Sequence, residues 1–168
     1  RAYEYDLSKD QEGVDWSVYF NNTNQYLPSN ALIICDRYMF SADSNSGPKT
    51  AQRAVDLGLA NVKCIMNSVL PKKHNDVYNI LIVFDSTTLS NENQMFESIV
   101  ADLKNFAKGY KRSRHYKLKI DLISVDHDCA NYSELHNRRI ISNYFVVRAD
   151  HRLRAFDQNK STTTQTIF

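Results

Sequence analysis

The sequence predicts an α/β layered fold with a central mixed β-sheet flanked by helices, and three observations carry that prediction. Two short continuous apolar runs, Ala31-Leu32-Ile33-Ile34-Cys35 and Ile80-Leu81-Ile82-Val83-Phe84, have the length and composition of strands buried on both faces. Met95, Phe96, Ile99, Val100, Leu103, Phe106 and Ala107 recur at helical spacing. Strands and helices alternate along the chain, which favours layers over separate β and α regions.

The elements follow in order. Residues 1–28 form an aromatic-rich strand and turn segment, with a strand expected over 15–20 and a turn at Asn21-Asn22-Thr23-Asn24. The first buried strand covers 31–35. Ser, Asn, Gly47 and Pro48 mark residues 41–49 as a loop. A helix is expected over 50–68, with Gly58 favouring two shorter helices, and Pro71 closes it. The second buried strand covers 79–84, and Ser90 is a candidate cap for the helix over 95–107, which Gly109 should stop. In the third strand, residues 116–125, Leu118, Ile120 and Leu122 alternate with polar residues. A fourth strand is expected over 140–147, and an edge strand over 162–168.

Composition narrows the class. A length of 168 residues suits a single domain, with a core over 30–147 and a C-terminal extension over 148–168. The apolar fraction of 42% and charged fraction of 24% exclude a disordered or low-complexity chain. No apolar run approaches the roughly 20 residues of a membrane-spanning helix. The net charge of +2 is too small to imply nucleic acid or an anionic membrane. One uneven stretch carries Lys104, Lys108, Lys111, Arg112, Arg114, His115, Lys117 and Lys119 without a carboxylate. It reads as a solvated helix end, with a phosphate-facing patch as the second reading.

The cysteines Cys35, Cys64 and Cys129 are odd in number and widely spaced. They argue against a disulfide framework and have no zinc-ligand spacing. Cys35 and Cys64 read as buried small hydrophobes, and a reducing, cytoplasmic setting is expected. Because the chain starts at Arg1, a fragment of a larger protein is also expected, with that protein's remaining domains as partners.

One motif carries chemistry. In Leu135-His136-Asn137-Arg138-Arg139-Ile140-Ile141-Ser142-Asn143, the spacing of His136, Arg138 and Asn143 resembles the signature of the phospholipase D superfamily. There, His-x-Lys is followed after four residues by Asp. Here Arg138 stands for the Lys and Asn143 for the Asp. The upstream Leu32-Ile33-Ile34-Cys35-Asp36-Arg37-Tyr38 is similar to the opening strand and Asp-x-Tyr turn common in these domains, and the likeness spans roughly residues 30–147.

The resemblance implies a phospholipase D-like half-domain. In the family, one histidine attacks a phosphodiester and a second protonates the leaving group. Two motif copies are needed, so this chain, with one, would require a homodimer bringing both His136 side chains together. Arg138 keeps a cation able to bind phosphate bidentately, though it does not replace a compact lysine. Asn143 cannot support an imidazolium; in triad-type sites an Asp→Asn change costs about four orders of magnitude. Similar degenerate motifs occur in the C-terminal module of some microtubule-interacting-and-transport domain proteins, which looks like a dimeric, phosphoinositide-binding element.

The resemblance therefore implies binding rather than hydrolysis. The expected ligand is phosphate-bearing, a nucleic acid or phospholipid headgroup, held by His136, Arg138 and Asn143 with Arg139 at the rim. A protein partner is the other binding option, and no cofactor is expected. The alternative is a metal-independent phosphodiesterase or nuclease, with His136 catalytic in a homodimer. A third reading makes the motif a relic in a scaffold domain, with His136 and Arg138 covering a sheet end beside Glu134 or Asp126. The Asp126-His127-Asp128 triplet lacks partners for a metal site. His74, His115 and His151 read as surface residues, and no phosphate-cradling glycine loop exists among the four glycines.

Overall fold

The structure is a computed structural model that describes residues 3–7, Trp16, Phe20, 29–41, 48–89, 92–125, 138–149 and 163–167. The described elements are β1 (Tyr3–Leu7), β2 (Ala31–Cys35), α1 (Pro48–Val69), β3 (Tyr78–Phe84), a 3-10 turn (Ser86–Thr88), α2 (Glu92–Arg114), β4 (Leu118–Ser124), β5 (Arg138–Ser142), β6 (Val146–Ala149) and β7 (Thr163–Ile167). The strands form one mixed sheet in the order β1-β7-β6-β5-β2-β3-β4. The predicted layered α/β class holds.

The sheet has two halves. β2, β3 and β4 are successive parallel neighbours, with Leu32 beside Ile80 and Ile80 beside Ile120. β5 pairs antiparallel with β2, with Ile34 opposite Ile140, and β6, β7 and β1 continue antiparallel. Both parallel crossovers step the same way along the sheet. Right-handed connections therefore put α1 and α2 on one face, where a Lys63–Asp102 ion pair links the helices.

That face holds the core. Leu32, Ile34, Ile80, Ile82, Phe84, Ile140 and Val147 are buried under Val55, Val62, Ile65, Met66, Ile99 and Leu103. On the opposite face, Ile33, Cys35, Leu81, Val83 and Ile141 are half-buried. The two apolar runs are therefore sealed on one face rather than both.

Several expectations need correcting. Trp16 and Phe20 have helical backbone, not the extended backbone expected over 15–20. They stack with ring centroids 5.8 Å apart, as residues four apart on a helix do. Phe20 meets Phe145 at 5.3 Å, and the Trp16 indole donates to Asn61 on α1. The stretch 140–147 is not one strand, because Asn143 and Tyr144 turn it into the β5–β6 hairpin. Ser142 Oγ accepts from the Tyr144 and Phe145 amides, a local bond that competes with strand continuation. The C-terminal strand is β7, which lies between β6 and β1 instead of at an edge. Ser90 and Cys129 lie outside the described residues.

The glycines acted in opposite senses. α1 runs unbroken through Gly58, where a Cβ would sit 2.4 Å from the Met39 carbonyl oxygen and 2.6 Å from the Phe40 ring. This close approach, not a helix break, requires the glycine. α2 runs past Gly109, which has nothing within 4 Å of a built Cβ. It ends instead at His115, whose φ of 64° is left-handed. Lys111, Arg112 and Arg114 occupy the last turn, where cations complement the helix dipole. The basic run is thus a helix end and the turn after it.

These environments predict opposite effects of one substitution. Gly109→Ala should stabilise the protein by about 0.5–1 kcal/mol through helix propensity. Gly58→Ala should destabilise it by about 1–3 kcal/mol through overpacking against backbone. Urea denaturation of the two variants checks the signs.

Candidate functional site

In parallel strands, carboxyl ends lie at one edge of the sheet, and ligands of α/β sheets bind outside that edge. Three polar positions gather there: Asp36 follows β2, Asp85 follows β3, and Ser124 ends β4. β5 runs antiparallel to β2 with Arg139 opposite Cys35, so Arg138 arrives at the same edge beside Asp36.

Asp36 and Asp85 are fully buried. A carboxylate so placed needs a cation and hydrogen bonds, and each has both. Arg138 Nε lies 3.4 Å from Asp36 Oδ1, and the Tyr38 amide donates to the same oxygen at 3.0 Å. Arg37 Nε donates to Asp85 Oδ2 at 3.2 Å. The Thr87 amide donates to Asp85 Oδ1 at 2.9 Å, and so does the Thr87 hydroxyl. The Ser86 amide donates to Ser124 Oγ at 3.3 Å, and the two serine hydroxyls are bonded to each other.

Tyr38 stands between the cations. Its ring centre is 4.8 Å from the Arg37 guanidinium carbon and 5.9 Å from that of Arg138, both within cation–π range. The turn is pinned from below. Met39 and Phe40 are buried, Phe40 meets Phe84 edge-on at 5.0 Å, and Gly58 lets α1 approach Met39 closely. The Asp85 amide donates to the Arg37 carbonyl at 3.2 Å, so pairing of the β2 and β3 chains continues past their last strand residues.

Of the expected site residues, the described ones, Arg138, Arg139 and Asn143, do not converge. Arg138 lies at the carboxyl edge. Asn143 lies at the other end of β5, about 16 Å away at strand rise, where its amide oxygen accepts from the Asn30 and Ala31 amides at 2.9 and 3.2 Å. It tethers the start of β2 to the hairpin rather than joining Arg138 in one pocket. Arg139 points to the opposite sheet face from Arg138, because neighbours on a strand alternate. There it lies beside Cys35 in register. Burial, with a smaller contribution from Asp36, pushes the Cys35 thiol up, while Arg139 acts in the opposite direction. His136, Glu134, Asp126, His127 and Asp128 lie outside the described residues.

Arg37, Asp85, Ser86 and Ser124 were not singled out as site residues in the sequence. A signal existed: each buried apolar run ends directly in an aspartate, Cys35-Asp36 and Phe84-Asp85. At the opposite edge, Tyr78, Tyr110 and Tyr116 pack with His74, whose ring lies 5.7 Å from Tyr78 and 5.5 Å from Tyr116. Burial raises the Tyr78 and Tyr116 phenols. This end of the sheet is a packing centre.

Among the described residues at this edge, the two guanidiniums of Arg37 and Arg138 balance the carboxylates of Asp36 and Asp85. Guanidinium forks suit oxyanions, and both carboxylates are engaged with them. Among the described residues, no group of three or more His, Cys, Asp or Glu could hold a metal ion. No protein-family model matches the chain, and no characterised protein matches it.

Asp85 should be the most sensitive position of the site. Its guanidinium partner is only 12% exposed, so solvent screens the pair little. Asp85→Ala is expected to cost about 3–5 kcal/mol, as breaking a buried pair does. Asp85→Asn keeps an acceptor for the Thr87 amide and should cost less, about 1–3 kcal/mol. Equal losses in urea denaturation would show that the charge carries the whole effect and the retained acceptor contributes nothing.

Proposed function

We propose that the chain is a non-catalytic phospholipase D-like module that binds a phosphate-bearing ligand at the carboxyl edge of its parallel strands, through Arg138. The observation that carries this reading is the convergence of Arg37 and Arg138 on Tyr38, with a buried aspartate beside each guanidinium. A guanidinium carries five N–H donors in a planar fork, a shape suited to an oxyanion.

Two further points favour binding over hydrolysis. The residue at the acidic position of the motif is Asn143, whose oxygen serves the backbone of β2. Asp36 and Asp85 are committed to guanidiniums, so neither is disposed as a general base for a hydroxyl.

The test uses inorganic phosphate, a dinucleotide and short-chain phosphatidylglycerol as probes, followed by calorimetry. Arg138→Lys retains the charge but loses the planar fork. It should weaken binding by about tenfold or more with the circular dichroism spectrum unchanged. Arg112→Ala, in the exposed last turn of α2, should leave binding intact; an equal loss there would move the ligand to the basic helix end. Turnover of bis-p-nitrophenyl phosphate that disappears in His136→Ala would replace this reading with the phosphodiesterase.

A further inference from the structure

β4 ends the strand order, and among the described residues no strand pairs with its outer side. Its hydrogen-bonding parity can be assigned. The Lys117 carbonyl accepts from the Tyr78 amide, and the Val125 amide donates to the Phe84 carbonyl. Odd-numbered residues of β4 therefore direct their backbone groups at β3. Both groups of a strand residue point the same way, so Leu118, Ile120 and Leu122 direct theirs at the open edge.

The two faces of this edge differ. Leu118, Ile120 and Leu122 are half-buried against the core on the helix-covered face. Lys119 and Asp121 are on the other face, paired with each other at 3.0 Å, with side chains 62% and 55% exposed. Beyond them Ile123 is 46% exposed, large for an aliphatic residue.

We propose that β4 pairs antiparallel with β4 of a second copy of this chain, about a two-fold axis through Ile120, merging the two sheets. Charge complementarity selects this occupant and this register. A two-fold axis perpendicular to the sheet keeps both helix layers on one side and sets same-face residues opposite each other. Centring on Lys119 or Asp121 would oppose that residue with its own copy, and like charges directly opposite are destabilising. Centring on Leu118 would oppose Lys117 with the partner's Lys119. Centring on Leu122 would leave Lys119 opposite the partner's Val125.

Centring on Ile120 satisfies every position. Lys119 meets the partner's Asp121, and Asp121 meets the partner's Lys119. Leu118 meets the partner's Leu122. Ile120 meets its own copy, and the aliphatic stem of Lys117 lies along the partner's Ile123. The outward backbone groups fall on hydrogen-bonded pairs. The charged residues fall on non-hydrogen-bonded pairs, where side chains come closest. Charges on an edge strand ordinarily repel other strands; here they reject foreign strands and shifted registers while admitting the chain's own copy.

Light scattering over a concentration series tests this, with variants at the two exposed charges. The wild-type chain should dimerise. Lys119→Asp and Asp121→Lys should each weaken dimerisation by about tenfold or more, because each makes both cross-chain pairs like-charged. The double variant should restore it, and mixing the two single variants should give a mixed dimer, since their charges complement. Unchanged circular dichroism spectra would show that the variants stay folded. A wild-type monomer throughout the series, a dimer indifferent to both substitutions, or a double variant that fails to recover would each overturn the proposal.

Discussion

The contact between Arg138 and Asp36 joins the two halves of the sheet. β2, β3 and β4 with their helices form a parallel unit whose carboxyl ends carry two fully buried aspartates. The antiparallel half enters that edge at Arg138 and supplies a cation to Asp36. Arg37, the residue after Asp36, supplies the cation to Asp85. The result is a chain of charges across the ends of β5, β2 and β3. A buried carboxylate without its cation would be strongly unfavourable, so each strand end depends on the next being in register. The same contacts that fix the register fix the direction of the guanidiniums.

Packing beneath the edge makes that direction reproducible. Phe40 rests on Phe84, and α1 comes so close to Met39 that only a glycine fits at position 58. Tyr38 projects from a turn whose next two residues are core residues. The site is therefore built outward from the hydrophobic core, which limits how far Arg37 can swing. A preorganised pair of cations suits ligand binding, since less side-chain entropy is lost on association. The phosphate binding proposed above would draw on these fixed donors.

The alternation of strands and helices was legible because it rests on apolar patterning, which the two five-residue runs and the 95–107 helix express strongly. What misled was punctuation. Gly58 and Gly109 look alike in sequence, yet one meets a carbonyl oxygen and the other meets solvent. α2 ends at His115, whose backbone is left-handed, rather than at Gly109. The turn at Asn143 was hidden inside an apolar stretch, and its Ser-Asn pair was the available warning. The site was half legible for a related reason. A linear motif groups Arg138 with Asn143, but a five-residue strand between them carries the two to opposite ends of the sheet. Asp85 belongs with Arg37, 48 residues away in sequence, and only parallel pairing of β2 with β3 brings them together.

Dimer geometry bears directly on chemistry. A phospholipase D-type reaction at a composite site requires two motif-bearing edges to face each other. Antiparallel pairing through β4 does the reverse. Because the two strands run in opposite directions, the carboxyl edge of one copy lies beside the amino edge of the other. The two Arg138 positions then diverge, each at its own end of the merged sheet. Such a dimer would carry two separate copies of the proposed phosphate site, and would gain affinity for a ligand-bearing surface only if both could engage it at once. A dimer in solution is therefore not evidence for catalysis by itself; the edge through which it forms decides whether two histidines can ever meet.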